Sequence, residues 1–454
     1  MTKDMTKGSP IRLIISFAIP LMLGSLFQQF YSMADTIIVG KFVGVEALAA
    51  VGSTGSLNYL ILGCAVGICC GFAIPVAQSF GAHDMTELRR FFANSIWLSV
   101  IFAVVVTTIS VLLTRNILVM MNTPDNIIAL SDAYIRTIFA GIPATLLYNI
   151  VSAMMRALGD SKHPLYFLIF ASFLNIGLDI FFILGLNLGV FGAALATVIS
   201  QGVAGGISFW YMMKHFPELH CNREERKFSV VHCKRLCYIG IPMGLQCSIT
   251  AIGGVVLQSA VNGLGSTVVA AQTAGSKASM MFTTPIESIG TTIATYCSQN
   301  LGAHRIDRIK KGVWQGFLFA VACSVVAWMG IHFFDRVLVE LFVDAAETEI
   351  IEKACEILFW GSSFYIILAI LIVYRYAIQG LGFSGFAMLA GVAEMIARAG
   401  MAQFCSGEHG FLIACLANPM AWLAATIFLV PAYFGVMRRI SNTVPQAKDI
   451  LLSL

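Results

Sequence analysis

Apolar residues run through this chain in long stretches almost free of charge. Segments 47–82, 92–113, 180–213, 236–276 and 312–331 each reach or exceed the ~20 residues that a helix needs to cross a ~30 Å hydrocarbon core. The longest of them hold two helices each. The pattern predicts twelve spans, at 13–39, 48–80, 91–113, 131–155, 163–184, 190–213, 235–262, 268–299, 312–334, 355–378, 385–404 and 411–437. The first apolar stretch runs from Leu13 through Asp35 to Val39, too long for the core of a signal peptide and without a small-residue cleavage site, so it reads as the first span.

Composition agrees with this pattern: 58% of residues are hydrophobic, 11% are charged, and mean hydropathy is +0.83. The few charges are informative by position. With both termini and the even-numbered loops on the cytosolic side, twenty Lys and Arg residues face inward, among them Lys3, Arg89, Arg90, Lys310, Lys311, Arg438, Arg439 and Lys448. Only Lys41, Arg115, Arg136, Arg336 and Lys353 face outward. Such a bias predicts a multi-pass protein of the cell (inner) membrane with both termini in the cytosol. It also explains the net charge of +4, so nothing remains to suggest nucleic acid as a partner. Segment 335–352 becomes an acidic external loop.

The twelve cysteines are scattered and show no disulfide spacing. His220, Cys221, His232, Cys233 and Cys237 cluster near a charged linker, 214–234, but lack the CxxC or HxxxH spacing of a metal site. No GxxxxGK[ST], HExxH or GxSxG occurs, which leaves no residues for ATP hydrolysis or proteolysis and predicts a non-enzyme driven by an ion gradient.

Sliding the chain against itself by about 221 residues reveals a repeat. Ile19-Pro20 falls on Ile241-Pro242, and Gln78, Gly81, Ala82 and His83 fall on Gln299, Gly302, Ala303 and His304. Arg89-Arg90 falls on Lys310-Lys311, and Leu158-Gly159 with Ser161 on Leu381-Gly382 with Ser384. Six spans per copy is an even number, so both copies enter the membrane from the same side. The expected fold is an all-α polytopic membrane protein: twelve transmembrane helices in two parallel six-helix repeats, 1–213 and 235–454, forming a central cleft and joined by the cytoplasmic linker 214–234. Rocking of one repeat against the other would give alternating access.

Ile19-Pro20, Gln28-Gln29, Tyr31-x3-Asp35, the paired QxxGAH blocks, Arg156-Ala-Leu-Gly-Asp160 and Asn175-x3-Asp179 together resemble the multidrug and toxic compound extrusion (MATE) transporters, essentially end to end. The resemblance implies a two-lobe exporter, functional as a monomer in the lipid bilayer. It would expel small cationic or amphipathic organic compounds in exchange for H⁺ or Na⁺, with no cofactor beyond that coupling ion. Some members carry a glutamate in the seventh helix, where this chain reads Gln246-Cys247-Ser248, a departure that puts a cation site there in doubt.

Depth arithmetic points to a site independently. With the external turn near Leu188, Asp179 and Thr197 each lie nine residues from it, about 13 Å inside at ~1.5 Å per residue. Asp35 lies at a similar depth below the turn near Lys41, with Tyr31 four residues earlier on the same helical face; Asn175 shares a face with Asp179 in the same way. Carboxylates, an amide and hydroxyls at one level suit Na⁺, and two nearby acids in low dielectric can equally carry protons. Asp35, Asp179, Asn175, Tyr31 and Thr197 are therefore the expected ion-coupling set, which matches the family's first-lobe site. Any Na⁺ at Asp35, Asn175, Asp179 and Thr197 would be transient, with no resident metal. The alternative role for these residues is a hydrogen-bonded lock within the bundle.

The second repeat has lost these acids: Asn175 maps to Arg398 and Asp179 to Ala402. Its own intramembrane charges are Lys277, Glu287, which follows Pro285, and a Glu394-x3-Arg398 pair. Gln28, Glu287, Glu394 and Arg398 are the candidate residues of the substrate cleft. Salt bridges are the alternative role, from Glu287 to Lys277 or Arg398 and within Glu394–Arg398. Arg375, between Tyr374 and Tyr376, reads as an interfacial anchor. Two rival functions stand beside multidrug export: a lipid-linked oligosaccharide flippase, which would line its cleft with several bases for pyrophosphate, and a channel or membrane sensor.

Overall fold

A computed structural model describes residues 4–121, 123–407 and 409–452, the side chains of Val45 and residues 443–452 excepted. Lys3 and the Lys448 side chain, both counted among the inward charges, fall outside the described set. The fold is helical throughout the described residues: α1 (Pro10–Phe42), α2 (Val45–Gly81), α3 (Met85–Met120), α4 (Asp125–Ala140), α5 (Ile142–Ala157), α6 (Lys162–Ile180), α7 (Gly189–His215), α8 (Val230–Asn262), α9 (Ser266–Gly302), α10 (Ile306–Glu340), α11 (Thr348–Ser363), α12 (Tyr365–Gly380), α13 (Ser384–Gln403) and α14 (Gly410–Leu452). A π-helical turn, Phe181–Gly185, extends α6.

Among the described residues nine helices are long and apolar enough to cross a membrane, and α4–α5 and α11–α12 add two spans if each bent pair is one. The 37-residue α9 carries Lys277 and Glu287 among Ser and Thr residues and is less apolar, so the spans found among the described residues number nine to eleven against the expected twelve. In a bilayer, helices satisfy every backbone group internally, so this is the multi-pass membrane protein that the pattern predicts.

The sequence pattern predicts 131–155 and 355–378 as continuous spans, and the structure breaks both. The chain bends by 45° between α4 and α5 and by 51° between α11 and α12. At the first bend, a Cβ on Gly141 would stand 2.2 Å from Val198 Cγ2, so only glycine allows α7 so close, and Pro143 follows in the first turn of α5. The second bend falls at Phe364, whose amide donates to Gly361 O; a Cβ on Gly361 would meet nothing within 4 Å, so no close approach demands a glycine there.

The twin motifs prove to be helix ends. His83 (φ 57°) and His304 (φ 54°) both adopt the left-handed conformation just past α2 and α9. The next amides, Asp84 N–H and Arg305 N–H, donate back to Ser79 O and Asn300 O at 3.1 and 2.8 Å. Gly159 (φ 87°) and Gly382 (φ 85°) close α5 and α12 in the same manner. Asp160 then accepts from the Lys162 and His163 amides at 3.0 and 3.2 Å, starting α6.

The helices form two compact units, each with its own apolar core. The first comprises Asp4 and Leu23–Gly244; the second comprises Met5–Met22 together with Leu245–Leu454, among the described residues. Unit membership changes inside α1 and inside α8, in each case two residues after the proline of the repeated Ile-Pro, Pro20 or Pro242. A proline removes a backbone donor and loosens a helix at this point.

Within the first unit, two Gly-xxx-Gly stripes face each other: Gly67 and Gly71 on α2 meet Gly240 and Gly244 on α8, and a Cβ on Gly71 would lie 2.4 Å from Gly240 Cα. The linker also lies on this unit. Arg89 Nε donates to Glu218 O at 3.1 Å, Arg89 pairs with Glu225 at 3.5 Å, and Ser229 N–H donates to Asn94 Oδ1 at 2.8 Å. The histidines and cysteines of that region hold packing contacts. His232 Nε2 meets Glu87 Oε2 at 3.1 Å, His220 Nε2 meets Met213 O at 2.6 Å, and Cys233 Sγ reaches Asn94.

In the second unit, the segment before α1 takes the corresponding place. Met5 N–H donates to Gln299 Oε1 at 2.9 Å, and Arg308 donates to Met5 O at 3.1 Å and to Gly8 O at 2.9 Å.

Candidate functional site

In the first unit, α1, α4, α6 and α7 bring their polar side chains to one point. The carboxyl groups of Asp35 on α1 and Asp179 on α6 are close enough to share a hydrogen bond. Asp179 and Asn175 are almost fully buried, at 0% and 1% exposure. With its amide turned to satisfy both neighbours, Asn175 donates to Asp179 Oδ2 at 3.0 Å and accepts from the Thr197 backbone N–H at 3.1 Å. The Tyr31 hydroxyl bonds to the Thr197 side chain and stands in the field of both acids. All five residues named from depth and face therefore meet. One oxygen of each acid, Oδ1 of Asp35 and Oδ1 of Asp179, is buried without a hydrogen-bond donor, an arrangement that a bound proton or cation would complete.

Tyr134 on α4 belongs to this group and was missed. It is buried, and its hydroxyl feels Asp35, Tyr31 and Asp179. Its only signal in the sequence was a polar tip within the apolar face Ile127, Ile128, Ser131, Tyr134, Ile135, Ile138, and such a tyrosine also suits a core or an interface.

The second unit is arranged differently. Glu394 on α13, 2% exposed, bridges two guanidinium groups: Arg398 at 3.2 Å one turn along the same helix, and Arg375 of α12. Arg398 Nε also donates to Asn418 Oδ1 at 3.0 Å. The reading of Arg375 as an interfacial anchor is thus corrected: it is only 8% exposed and points into the unit toward Glu394, while its neighbour Tyr374 packs edge-on against Tyr433. Successive helical residues diverge by about 100°, so a tyrosine on each side does not place the residue between them at the surface. Gln246 donates no charge either; it accepts from Gln379 Nε2 at 2.6 Å, and both amides are buried.

Glu287 remains accessible and lines a cavity of about 240 Å³ with Arg398, Asn418, Ser279 and Trp422. Its charged neighbour is Arg375, and among the described residues it forms no ion pair with Lys277. Gln28, on α1 in the first unit, is exposed.

The MatE family profile matches residues 20–181 and again 242–402. The chain belongs to the MatE family. The two matches recur at the spacing of about 221 residues that the sequence shows against itself. Among curated relatives of this MATE chain, the probable multidrug resistance protein YoeA of Bacillus subtilis is 28% identical over 359 residues, 77% of each chain. An FAD transporter of Shewanella oneidensis is 22% identical over 428 residues, 90% of this chain and 91% of its own. Among solved structures, a MOP superfamily transporter from Pyrococcus furiosus superposes with a TM-score of 0.89 at 22% identity, over 97% of this chain and 99% of the other. An outward-facing multidrug resistance MATE transporter superposes with a TM-score of 0.90 over the same shares.

Proposed function

We propose that this protein is a secondary active multidrug exporter, an antiporter that expels small cationic or amphipathic organic compounds in exchange for inward-moving H⁺ or Na⁺. The observation that carries the reading is the pair Asp35–Asp179 in the first unit. Two acids that share a hydrogen bond at membrane depth, with no base beside them among the described residues, cannot both stay ionised at low cost. They hold either a proton or a small cation. Releasing it to one side and recapturing it from the other supplies the energy for export.

Asn175, Thr197 and Tyr31 orient the pair, and Tyr134 adds a fourth polar contact. Glu287, accessible in its cavity, is the candidate counter-charge for a cationic cargo, with Gln28 as a polar contact in the first unit. Glu394 and Arg398 act as its support. The chain works as a monomer in the cell membrane with its termini in the cytosol, as the inward bias of Lys and Arg supports.

The named relatives include an FAD transporter, whose cargo is anionic. Recognition of a diphosphate would call for guanidinium groups offered to the ligand, and the two buried arginines of the second unit are bridged by Glu394. That bridge favours a cationic cargo, and it weighs equally against a pyrophosphate-linked lipid.

The test is transport of a fluorescent organic cation into inverted vesicles, with Na⁺ and pH gradients imposed separately. One gradient should drive concentrative uptake that collapses when that gradient is dissipated. Uptake that ignores both gradients, or dye equilibration without accumulation, would refute antiport.

A further inference from the structure

The second unit has another recess, which shares no lining residue with the cavity of Glu287. It has a volume of about 610 Å³ and lies where α10 and α14 pack on α12 from either side. Its floor is Tyr374 and Tyr433, in edge-on contact at 5.0 Å. Trp314 and Phe434 form its walls, both more than half exposed, and Lys310 and Arg438 stand at its rim. Among the described residues no carboxylate lines it, and neither Lys310 nor Arg438 enters an ion pair. The recess lies at the end of the helices where Lys310, Lys311, Arg438 and Arg439 cluster.

The internal repeat provides a control. Lys310 corresponds to Arg89, and in the first unit Arg89 is covered by the linker, whose Glu225 supplies a carboxylate at 3.5 Å and whose Glu218 supplies a carbonyl at 3.1 Å. In the second unit the segment before α1 bonds Arg308, whereas Lys310 itself has no carboxylate or carbonyl partner among the described residues, and an aromatic-walled groove opens beside it.

We propose that this groove is a binding site for an anionic glycerophospholipid, with its phosphate held between Lys310 and Arg438 and an acyl chain lying against Trp314, Tyr374 and Phe434. Two cations with no acid between them attract a phosphate, and exposed aromatic rings beside them suit the level where headgroup meets hydrocarbon. The bound phosphate would do for the second unit what Glu225 does for the first.

The test is native mass spectrometry of the detergent-purified full chain, titrated with phosphatidylglycerol or phosphatidylcholine of identical acyl chains, alongside thermal melting in the same lipids. The expected result is a preference for phosphatidylglycerol on the order of tenfold, matched by a higher melting temperature, with both lost in Lys310→Gln/Arg438→Gln. Arg438→Lys should keep most of the preference. Inorganic phosphate at equal concentration should not displace the lipid, because it lacks the acyl contact; displacement would mean that an ion site alone is present and would overturn the lipid assignment. Equal binding of the two lipids, or an unchanged preference in the double variant, would also overturn the proposal. If the double variant does not fold, the lipid comparison on the native chain and on Arg438→Gln alone decides the matter.

Discussion

The two units share a repeated sequence and repeated helix ends, yet they treat buried charge in opposite ways. In the first, two acids from different helices share a hydrogen bond and have an amide, a threonine and two tyrosines around them. In the second, one acid is held by two arginines, and one of these, Arg398, stands where the first unit has Asn175. An acid pair lacking a counter-charge must recruit a proton or an ion, and so can exchange it. A carboxylate between two guanidiniums already has its partners and gains nothing by exchange. On the proposed function, the same scaffold carries an exchangeable charge in one unit and a fixed one in the other.

The largest effect that could break this comparison is on stability. Glu394→Ala leaves two buried guanidiniums without their anion and should destabilise the protein by about 3–5 kcal/mol, seen as a marked fall in melting temperature and folded yield. Replacing Arg375, Glu394 and Arg398 together by Met or Leu should recover most of that loss. If Glu394→Ala melts like the native chain, the second unit does not contain a structural ion network.

The next largest effect concerns packing in the first unit. Gly71→Leu must force α2 away from α8, where a Cβ would already sit 2.4 Å from Gly240 Cα, at a cost of about 1–3 kcal/mol or more. The corresponding position in the second unit, Thr292, already carries a side chain, so Thr292→Val should be far milder in the same melting assay.

A smaller effect is expected at Tyr134. Removing its hydroxyl in Tyr134→Phe should deprive the acid pair of one polar neighbour, worth about 1 kcal/mol, and weaken the dependence of efflux on the driving ion a few-fold without loss of folded protein. Unchanged ion dependence would leave Tyr134 outside the site.

The smallest effect tests the linker that covers the first unit. Burial, and then the nearby Glu225, raise the pKa of the Cys221 thiol above the ordinary range. The thiol is therefore protonated at neutral pH, and alkylation should become fast only at more alkaline pH than for a free cysteine. Glu225→Gln removes part of that shift, loosens the contact with Arg89, and should speed labelling by maleimide at pH 7.

The sequence made much of this legible because membrane helices obey a single strong constraint: runs of apolar residues must match the bilayer, and charges within them are rare enough to stand out. The spans, the repeat and the meeting of Asp35, Asp179, Asn175, Tyr31 and Thr197 all follow from length, period and depth. The breaks at Gly141 and Phe364 do not, because they depend on how closely a neighbouring helix approaches. Arg375 was misjudged because its partner, Glu394, lies on a different helix, and nothing in the local pattern connects them. Tyr134 escaped notice for a related reason: a buried tyrosine looks alike whether it fills space or faces an acid.

The most direct test compares ion-driven uptake of an organic cation in inverted vesicles containing Asp35→Asn with uptake in those containing Glu394→Gln, at matched amounts of folded protein. Asp35→Asn should fall to the level of vesicles lacking the protein under every imposed gradient, while Glu394→Gln, once folded, should still respond to the native driving ion. Full gradient dependence in Asp35→Asn would contradict the assignment of the acid pair as the coupling site.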